Sequence, residues 1–181
     1  STAFSGPFAK LIVAPLLGFG ILGNYQLGIQ LLSVLEMLPN VIFKFILPQD
    51  ASGNSNKKLK QVTVLLAVGL STTGIILSPI LVPHFFPKFT PAIQVFQIVS
   101  LSLIPSTINL TLISKFLGME KSKLILVSSG IYLIMQILLI LTLGKTFGIN
   151  GVASAFVTSV CSQTVALVIM DRMLLRKIER V

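Results

Sequence analysis

Charged residues are scarce in this sequence. Lys, Arg, Asp and Glu together make up 10% of its 181 residues, whereas 54% are hydrophobic and the mean hydropathy is +0.95. A soluble domain carries about 25% charged residues, so this chain has too few to cover a surface that faces water. Disordered chains are polar and poor in apolar residues, so the same figures exclude them. The composition is therefore that of an integral membrane protein and argues against a soluble enzyme or a DNA-binding module.

The residues that usually carry catalysis or bind metals are also few. Cys161 is the only cysteine and lies in an apolar run, and His84 is the only histidine. The five acidic residues are dispersed along the chain: Glu36, Asp50, Glu120, Asp171 and Glu179. No Gly-x-x-x-x-Gly-Lys loop for ATP phosphates occurs. A disulfide framework, a thiolate metal site and an acidic Mg²⁺ cluster are therefore excluded within the chain. We predict a protein that is not an enzyme and uses no metal or cofactor.

Long apolar runs fill most of the chain, and six segments can be drawn. They cover about 8–23, 25–47, 61–83, 91–114, 122–143 and 148–170. A membrane-spanning helix needs about 20 residues to cross about 30 Å of hydrocarbon, and only the first segment, which contains Pro15, Gly18 and Gly20, is shorter. Alternation with a period of two is absent, which argues against a β-barrel. The sequence thus predicts an all-α integral membrane protein, a six-helix transmembrane bundle forming one unit over residues 1–181.

The cations are distributed unevenly between the segment boundaries. Twelve of the 14 Lys and Arg residues lie at every second boundary between the segments. Only Lys88 and Lys145 lie at the boundaries in between. Because Lys and Arg concentrate in cytoplasmic loops, this pattern predicts six crossings with both termini cytoplasmic. The chain begins at Ser1, and its opening stretch lacks the charged region and cleavage site of a signal peptide. We therefore expect it to be processed or to be part of a longer protein.

One segment carries a row of polar residues. At 100° per residue, six side chains of the second segment fall within an arc of about 120°; they are Gln26, Gln30, Ser33, Glu36, Asn40 and Lys44. A charge at the bilayer centre costs about 3 kcal/mol, so this stripe is expected to face other helices or a water-filled cavity. Two interpretations follow, a lining of a translocation path or polar contacts between helices, and the first is favoured because the row combines a charge with several neutral polar groups.

The last segment carries small residues instead. Gly151, Ala155 and Ser159 recur at a spacing of four, which places them on one helix face. Small residues at this spacing allow two membrane helices to approach closely. We predict that these three residues form a helix-packing face.

Several stretches, taken in order, resemble one family. LGNYQLGIQLLSVLEMLP followed by LPQDASG is similar to the helix pair that opens the C-terminal lobe of polysaccharide and oligosaccharide-lipid flippases. FPKFTPAIQVFQIVSLSLIP is similar to the entry to their tenth helix, LGMEKSKLILVSSGIYLIMQILLI to the turn and eleventh helix, and FGINGVASAFVTS to the start of the twelfth. FPKF replaces the commoner Phe-Gly pairing, and Gln136 stands where the family often has Asn. The resemblance covers nearly the whole chain.

The resemblance implies the fold of the multidrug/oligosaccharidyl-lipid/polysaccharide exporter superfamily, which has two six-helix lobes around a central cavity. This chain would be the C-terminal lobe, and its partners would be the lipid bilayer, a polyprenyl-linked sugar and a second six-helix lobe, with no nucleic acid. In that family cations in the cavity meet the pyrophosphate of the substrate, which makes Lys10 and Lys44 the candidates here. The expected function is flipping of a lipid-linked oligosaccharide across the plasma membrane. A cation-coupled multidrug exporter and a non-transporting scaffold of a sugar-assembly complex are the alternatives.

Overall fold

The computed structural model of the protein describes residues 18–53 and 56–178. These residues form helices joined by short turns, with no strand among them. The all-α prediction is confirmed over this part of the chain. We number the helices α1 (Phe19–Ala51), α2 (Lys57–Phe85), α3 (Ala92–Ser100), α4 (Leu103–Gly118) and α5 (Ser122–Ile178), and a short 3₁₀ helix occupies Pro87–Phe89.

The helices are apolar enough to cross a membrane, but the described residues contain three or four candidate spans and not the six that the sequence predicts. Three of them, α1, α2 and α5, have the necessary length and composition, and α3 with α4 makes a fourth if the bent pair counts as one span. The predicted segment 91–114 is broken here by a bend of 41°. The predicted segments 122–143 and 148–170 both lie within α5. Most of the first predicted segment, 8–23, lies outside the described residues.

The helix α5 contains 57 residues and reverses direction within its length. Gly148 has φ 57° and ψ −132°, which is not a helical conformation. A straight helix of this size would extend about 85 Å, whereas Asp171 near its end forms an ion pair with Lys115, which precedes its start by seven residues. The residues 122–147 and 149–178 are therefore two arms that return to the same end of the molecule. Glycine suits the reversal because a positive φ is strained for other residues.

The bend between α3 and α4 is stabilised from α2. The hydroxyl of Ser71 donates a hydrogen bond of 2.8 Å to the carbonyl oxygen of Ser100, the last residue of α3. The hydroxyls of Ser100 and Ser102 each donate 2.6 Å bonds to backbone carbonyls within this segment. All three side chains are buried. Since an unsatisfied backbone group in hydrocarbon costs several kcal/mol, these hydroxyls allow the helix to break inside an apolar bundle.

Contacts define two ends of the bundle. At one end, which we call the Asp50 end, Asp50 bonds Lys60 and Ser114, and Lys115 pairs with Asp171. At the other end, Asn150 Nδ2 donates a hydrogen bond of 2.9 Å to Gln94 Oε1. Between them lies an apolar core to which all five helices contribute, including Tyr25, Leu32, Ala67, Val95, Phe96, Val99, Leu103, Tyr132, Ile140, Val152 and Val160.

The Lys and Arg residues are divided between these two ends in the way that their alternation along the sequence predicts. Ten of the 14 Lys and Arg side chains are described, and eight of the ten lie at the Asp50 end or within about two turns of it. These eight are Lys44, Lys57, Lys58, Lys60, Lys115, Lys121, Lys123 and Arg172. Lys88 and Lys145 lie at the opposite end. The Asp50 end is therefore the end that the positive-inside rule would place in the cytoplasm.

The sidedness can be tested by cysteine labelling in a Cys161→Ser background. We expect Ser122→Cys to react with an impermeant maleimide only after the membrane is opened, and Lys88→Cys and Lys145→Cys to react in intact cells. The two sets lie at opposite ends of the bundle, so labelling of Ser122→Cys and Lys88→Cys from the same side would refute the assignment. Asn54, which the sequence also places in the cytoplasm, lies outside the described residues.

Candidate functional site

A cavity of about 320 Å³ lies between α1, α4 and the two arms of α5. Its walls extend from mid-bundle, at Glu36 and Tyr132, toward the Asp50 end, at Leu117 and Ile125. The wall is mainly apolar and includes the aromatic rings of Phe43, Tyr132 and Phe156. Small-molecule sites have this composition, with a few polar groups that orient the ligand. In this cavity the polar side chains are Glu36, Asn40, Ser106, Thr107, Asn109 and Gln163, besides the hydroxyl of Tyr132.

Glu36 supplies a carboxylate to the cavity. Its Oε1 accepts a hydrogen bond of 3.3 Å from the hydroxyl of Ser106, in the second turn of α4. Pro39, one turn further along α1, is buried in the same wall. The bend before α4 brings Ser106 beside α1, because it redirects the helix that carries this residue. A hydroxyl is a weak partner for a carboxylate in apolar surroundings, so the site retains capacity to accept further hydrogen bonds.

Two amides form the most buried polar pair in the cavity wall. Asn109 Nδ2, on α4, donates a hydrogen bond of 3.3 Å to Gln163 Oε1, on the second arm of α5. Asn109 is 5% exposed and Gln163 is 4% exposed. Asn109 Oδ1 and Gln163 Nε2 have no hydrogen-bond partner. Sequence reasoning missed both residues because the same predicted segments contain other amides, Gln94 and Gln97 beside Asn109 and Asn150 beside Gln163, and nothing in the sequence indicates which amides meet.

The polar stripe of α1 is only partly directed into the cavity. Of its six members, Glu36 and Asn40 line the wall. Gln30, Ser33 and Lys44 are exposed, and Gln26 is half-buried. Ser33 donates its hydroxyl hydrogen to the carbonyl of Ile29 at 2.9 Å, within its own helix. The arc of polar residues therefore turns from the cavity onto the outer face of α1. Lys10, the other candidate for pyrophosphate, lies outside the described residues.

The small residues of the last segment lie in the hairpin of α5. Gly151, Ala155 and Ser159 are all buried. A Cβ atom at Gly151 would overlap the backbone carbonyl of Leu143 and lie 3.1 Å from Phe147 Cβ, both on the first arm. Ser159 donates its hydroxyl hydrogen to the carbonyl of Ala155 at 2.6 Å. The absence of a side chain at Gly151 thus allows the two arms to approach directly after the reversal.

A carboxylate joins three helices at the Asp50 end. Asp50 Oδ2 lies 2.8 Å from Lys60 Nζ at the start of α2, and it accepts a hydrogen bond of 2.7 Å from Ser114 Oγ on α4. The Asp50 side chain is 2% exposed. Gly118 allows this approach, because a Cβ atom there would lie 2.6 Å from the carbonyl oxygen of Asp50. In the sequence Asp50 is only one dispersed acid, and the spacing gives no indication of these partners.

Comparison with protein-family models, with curated proteins and with solved structures finds no match. The chemistry of the cavity therefore rests on its own residues. They offer one carboxylate, three amides and three hydroxyls in an apolar and aromatic wall, a set suited to binding a neutral or cationic polar ligand. Within residues 18–53 and 56–178, no three His, Cys, Asp or Glu side chains come together as metal ligands would.

Proposed function

We propose that this chain is one six-helix lobe of an alternating-access transporter that flips a lipid-linked oligosaccharide across the plasma membrane. The observation that carries the proposal is a cavity at the cation-rich half of the bundle whose mainly apolar wall holds one carboxylate and three amides. Such groups within membrane helices are costly unless they serve a polar ligand or water. A scaffold for a sugar-assembly complex has no need of such a cavity, which is why we prefer transport.

The six passes of the proposal would be distributed as follows. The helices α1 and α2 count once each, α3 and α4 together form a single broken span, and the two arms of α5 cross separately. The sixth pass would come from the segment 8–23. A second six-helix lobe, in the same protein or in another chain, would complete the cavity, and both termini would lie in the cytoplasm.

The substrate would enter from the Asp50 end. Lys44 follows Phe43 in α1 and lies one turn beyond Asn40, both of which line the cavity. Its exposed ammonium is placed where a pyrophosphate head group would arrive, and Lys binds phosphate as a mobile point charge. The sugar would occupy the cavity, with Glu36 accepting hydrogen bonds from hydroxyl groups.

The second candidate, a cation-coupled multidrug exporter, is favoured by one observation. Glu36 lies in the cavity wall, whereas Lys44 is outside it and exposed. A carboxylate at this position would suit an organic cation or a coupling ion. Translocation of a lipid-linked oligosaccharide and export of a cationic dye therefore distinguish the two functions.

We expect Glu36→Gln and Lys44→Gln each to lower translocation of a lipid-linked oligosaccharide by about tenfold, since each loses a charged hydrogen bond or ion pair to the substrate. The assay uses the intact protein at matched membrane levels. Matched controls are Glu120→Gln and Lys123→Gln, exposed residues outside the cavity whose loss should leave transport unchanged. Normal translocation by both Glu36→Gln and Lys44→Gln would contradict the proposal. Loss of dye export instead would establish the drug exporter.

A further inference from the structure

The amide pair Asn109–Gln163 connects α4 to the second arm of α5 and leaves part of its hydrogen-bonding capacity unused. A single hydrogen bond joins the pair, and one polar atom of each amide is left without a partner although both side chains are more than nine-tenths buried. An unsatisfied buried polar group destabilises the fold. Both residues line the cavity, so a ligand bound there lies beside this pair.

The unpartnered atoms have a definite chemistry. Asn109 Oδ1 accepts a hydrogen bond and Gln163 Nε2 donates one. If both amides were rotated by 180°, the free atoms would be Asn109 Nδ2 and Gln163 Oε1, again one donor and one acceptor. The pair therefore presents one donor and one acceptor whichever orientation is adopted. Its complement is a ligand group that also donates and accepts, namely a hydroxyl group or a secondary amide.

We propose that Asn109 and Gln163 form a binding subsite for one sugar ring, which they hold through a hydroxyl or acetamido group that accepts from one amide and donates to the other. This inference rests on the proposed function for the presence of a sugar. The cavity volume, about 320 Å³, is at the lower end of the range of about 300–1,000 Å³ for small-molecule sites. It suits a single ring rather than a whole oligosaccharide.

The aromatic wall agrees with this ligand. Tyr132 and Phe156, on opposite arms of α5, line the same cavity as the amide pair. A sugar ring has apolar C–H faces as well as hydroxyl edges, so its faces can pack on aromatic rings while one edge reaches the amides. The carboxylate of Glu36, which also lines the wall, can accept from a further hydroxyl.

The test measures binding of alkyl glycosides to the full chain in lipid nanodiscs by calorimetry. The probes are octyl β-glucoside, which offers hydroxyls, the octyl glycoside of N-acetylglucosamine, which adds an acetamido group, and octyl tetraoxyethylene methyl ether, whose capped chain has no O–H and therefore only accepts hydrogen bonds. The key variant is Asn109→Leu/Gln163→Met, because replacing both partners with apolar groups of similar size leaves no orphaned amide and is nearly neutral for stability. The control is Asn150→Leu/Gln94→Met, which removes an Asn–Gln pair at the opposite end of the bundle.

We expect the double cavity variant to bind both glycosides about ten- to hundredfold more weakly than the wild type, with the ether and the control pair unaffected. A larger loss of affinity for the N-acetylglucosamine glycoside would identify the acetamido group of the sugar as the group that the pair binds. Equal losses of affinity for the two glycosides would identify a hydroxyl group. Glycoside binding that is undetectable in the wild type, or equal in wild type and double variant, would overturn the subsite. If the wild type binds glycosides through the pair but flips no lipid-linked sugar, the proposed function fails while the subsite stands.

Discussion

Replacing Gly151 with leucine is expected to destabilise the protein by about 3 kcal/mol, at the upper end of the usual cost of overpacking. The reason is that the new side chain would begin inside the space of the Leu143 carbonyl group. Backbone on both arms of the α5 hairpin would have to separate, because no flexible side-chain end is available to yield. We expect the thermal midpoint in detergent to fall by several degrees, and Gly151→Ala to show a smaller loss in the same direction.

Gly130→Leu is the matched control for this experiment. Gly130 lies on the first arm of the same hairpin, and a Cβ atom there would meet nothing within 4 Å. Leucine at this position should be neutral or slightly stabilising, since glycine lowers helix stability by about 1 kcal/mol relative to alanine. An unchanged midpoint for Gly151→Leu would mean that the two arms do not pack as described.

The second large effect is expected at Asp50. Asp50→Ala would remove the carboxylate that contacts Lys60 and Ser114, and breaking a buried ion pair from one side costs about 3–5 kcal/mol. Lys60 is 17% exposed and can regain some hydration, so we expect a value near 3 kcal/mol. The measurement is thermal unfolding in nanodiscs, followed by helical circular dichroism.

Two comparisons make the Asp50 result specific. Asp171→Ala removes the acid of the other ion pair, whose side chains are more exposed at 26% for Lys115 and 18% for Asp171, and should cost only about 1 kcal/mol. In a double-mutant cycle, adding Lys60→Met to Asp50→Ala should restore part of the lost stability. The second substitution removes the amine whose carboxylate partner was deleted by the first. Strict additivity of the two substitutions would show that the pair contributes no coupling.

Hydropathy predicted the membrane class and the helices, because burial in lipid imposes long apolar runs that are legible without tertiary contacts. The stripe on α1 likewise pointed to Glu36 and Asn40, since helical periodicity fixes which residues share a face. The polar stripe alone did not indicate that Gln30 and Ser33 face outward. The packing of the whole bundle decides which face of α1 contacts the neighbouring helices.

The features that the sequence did not indicate all depend on contacts between distant residues. Asn109 and Gln163 are 54 positions apart, and Asp50 and Ser114 are 64 apart. Neither member of either pair is unusual in its own segment. The 41° bend between α3 and α4 was not predicted as a break in the segment. Pro105, which has no N–H to donate to the carbonyl four residues earlier, lies just after the bend, but the Ser71 hydroxyl that bonds the Ser100 carbonyl there is on another helix.

That hydroxyl gives α2 an influence over a cavity to which, among the described residues, it contributes no wall. Ser71 holds the carbonyl at the point where the chain changes direction, and the direction of α4 beyond that point decides whether Ser106 and Asn109 reach the cavity. The shape of the cavity wall thus depends partly on a residue of another helix. Substitutions in α2 that contribute nothing to the wall are therefore expected to reposition the polar groups of α4 inside it.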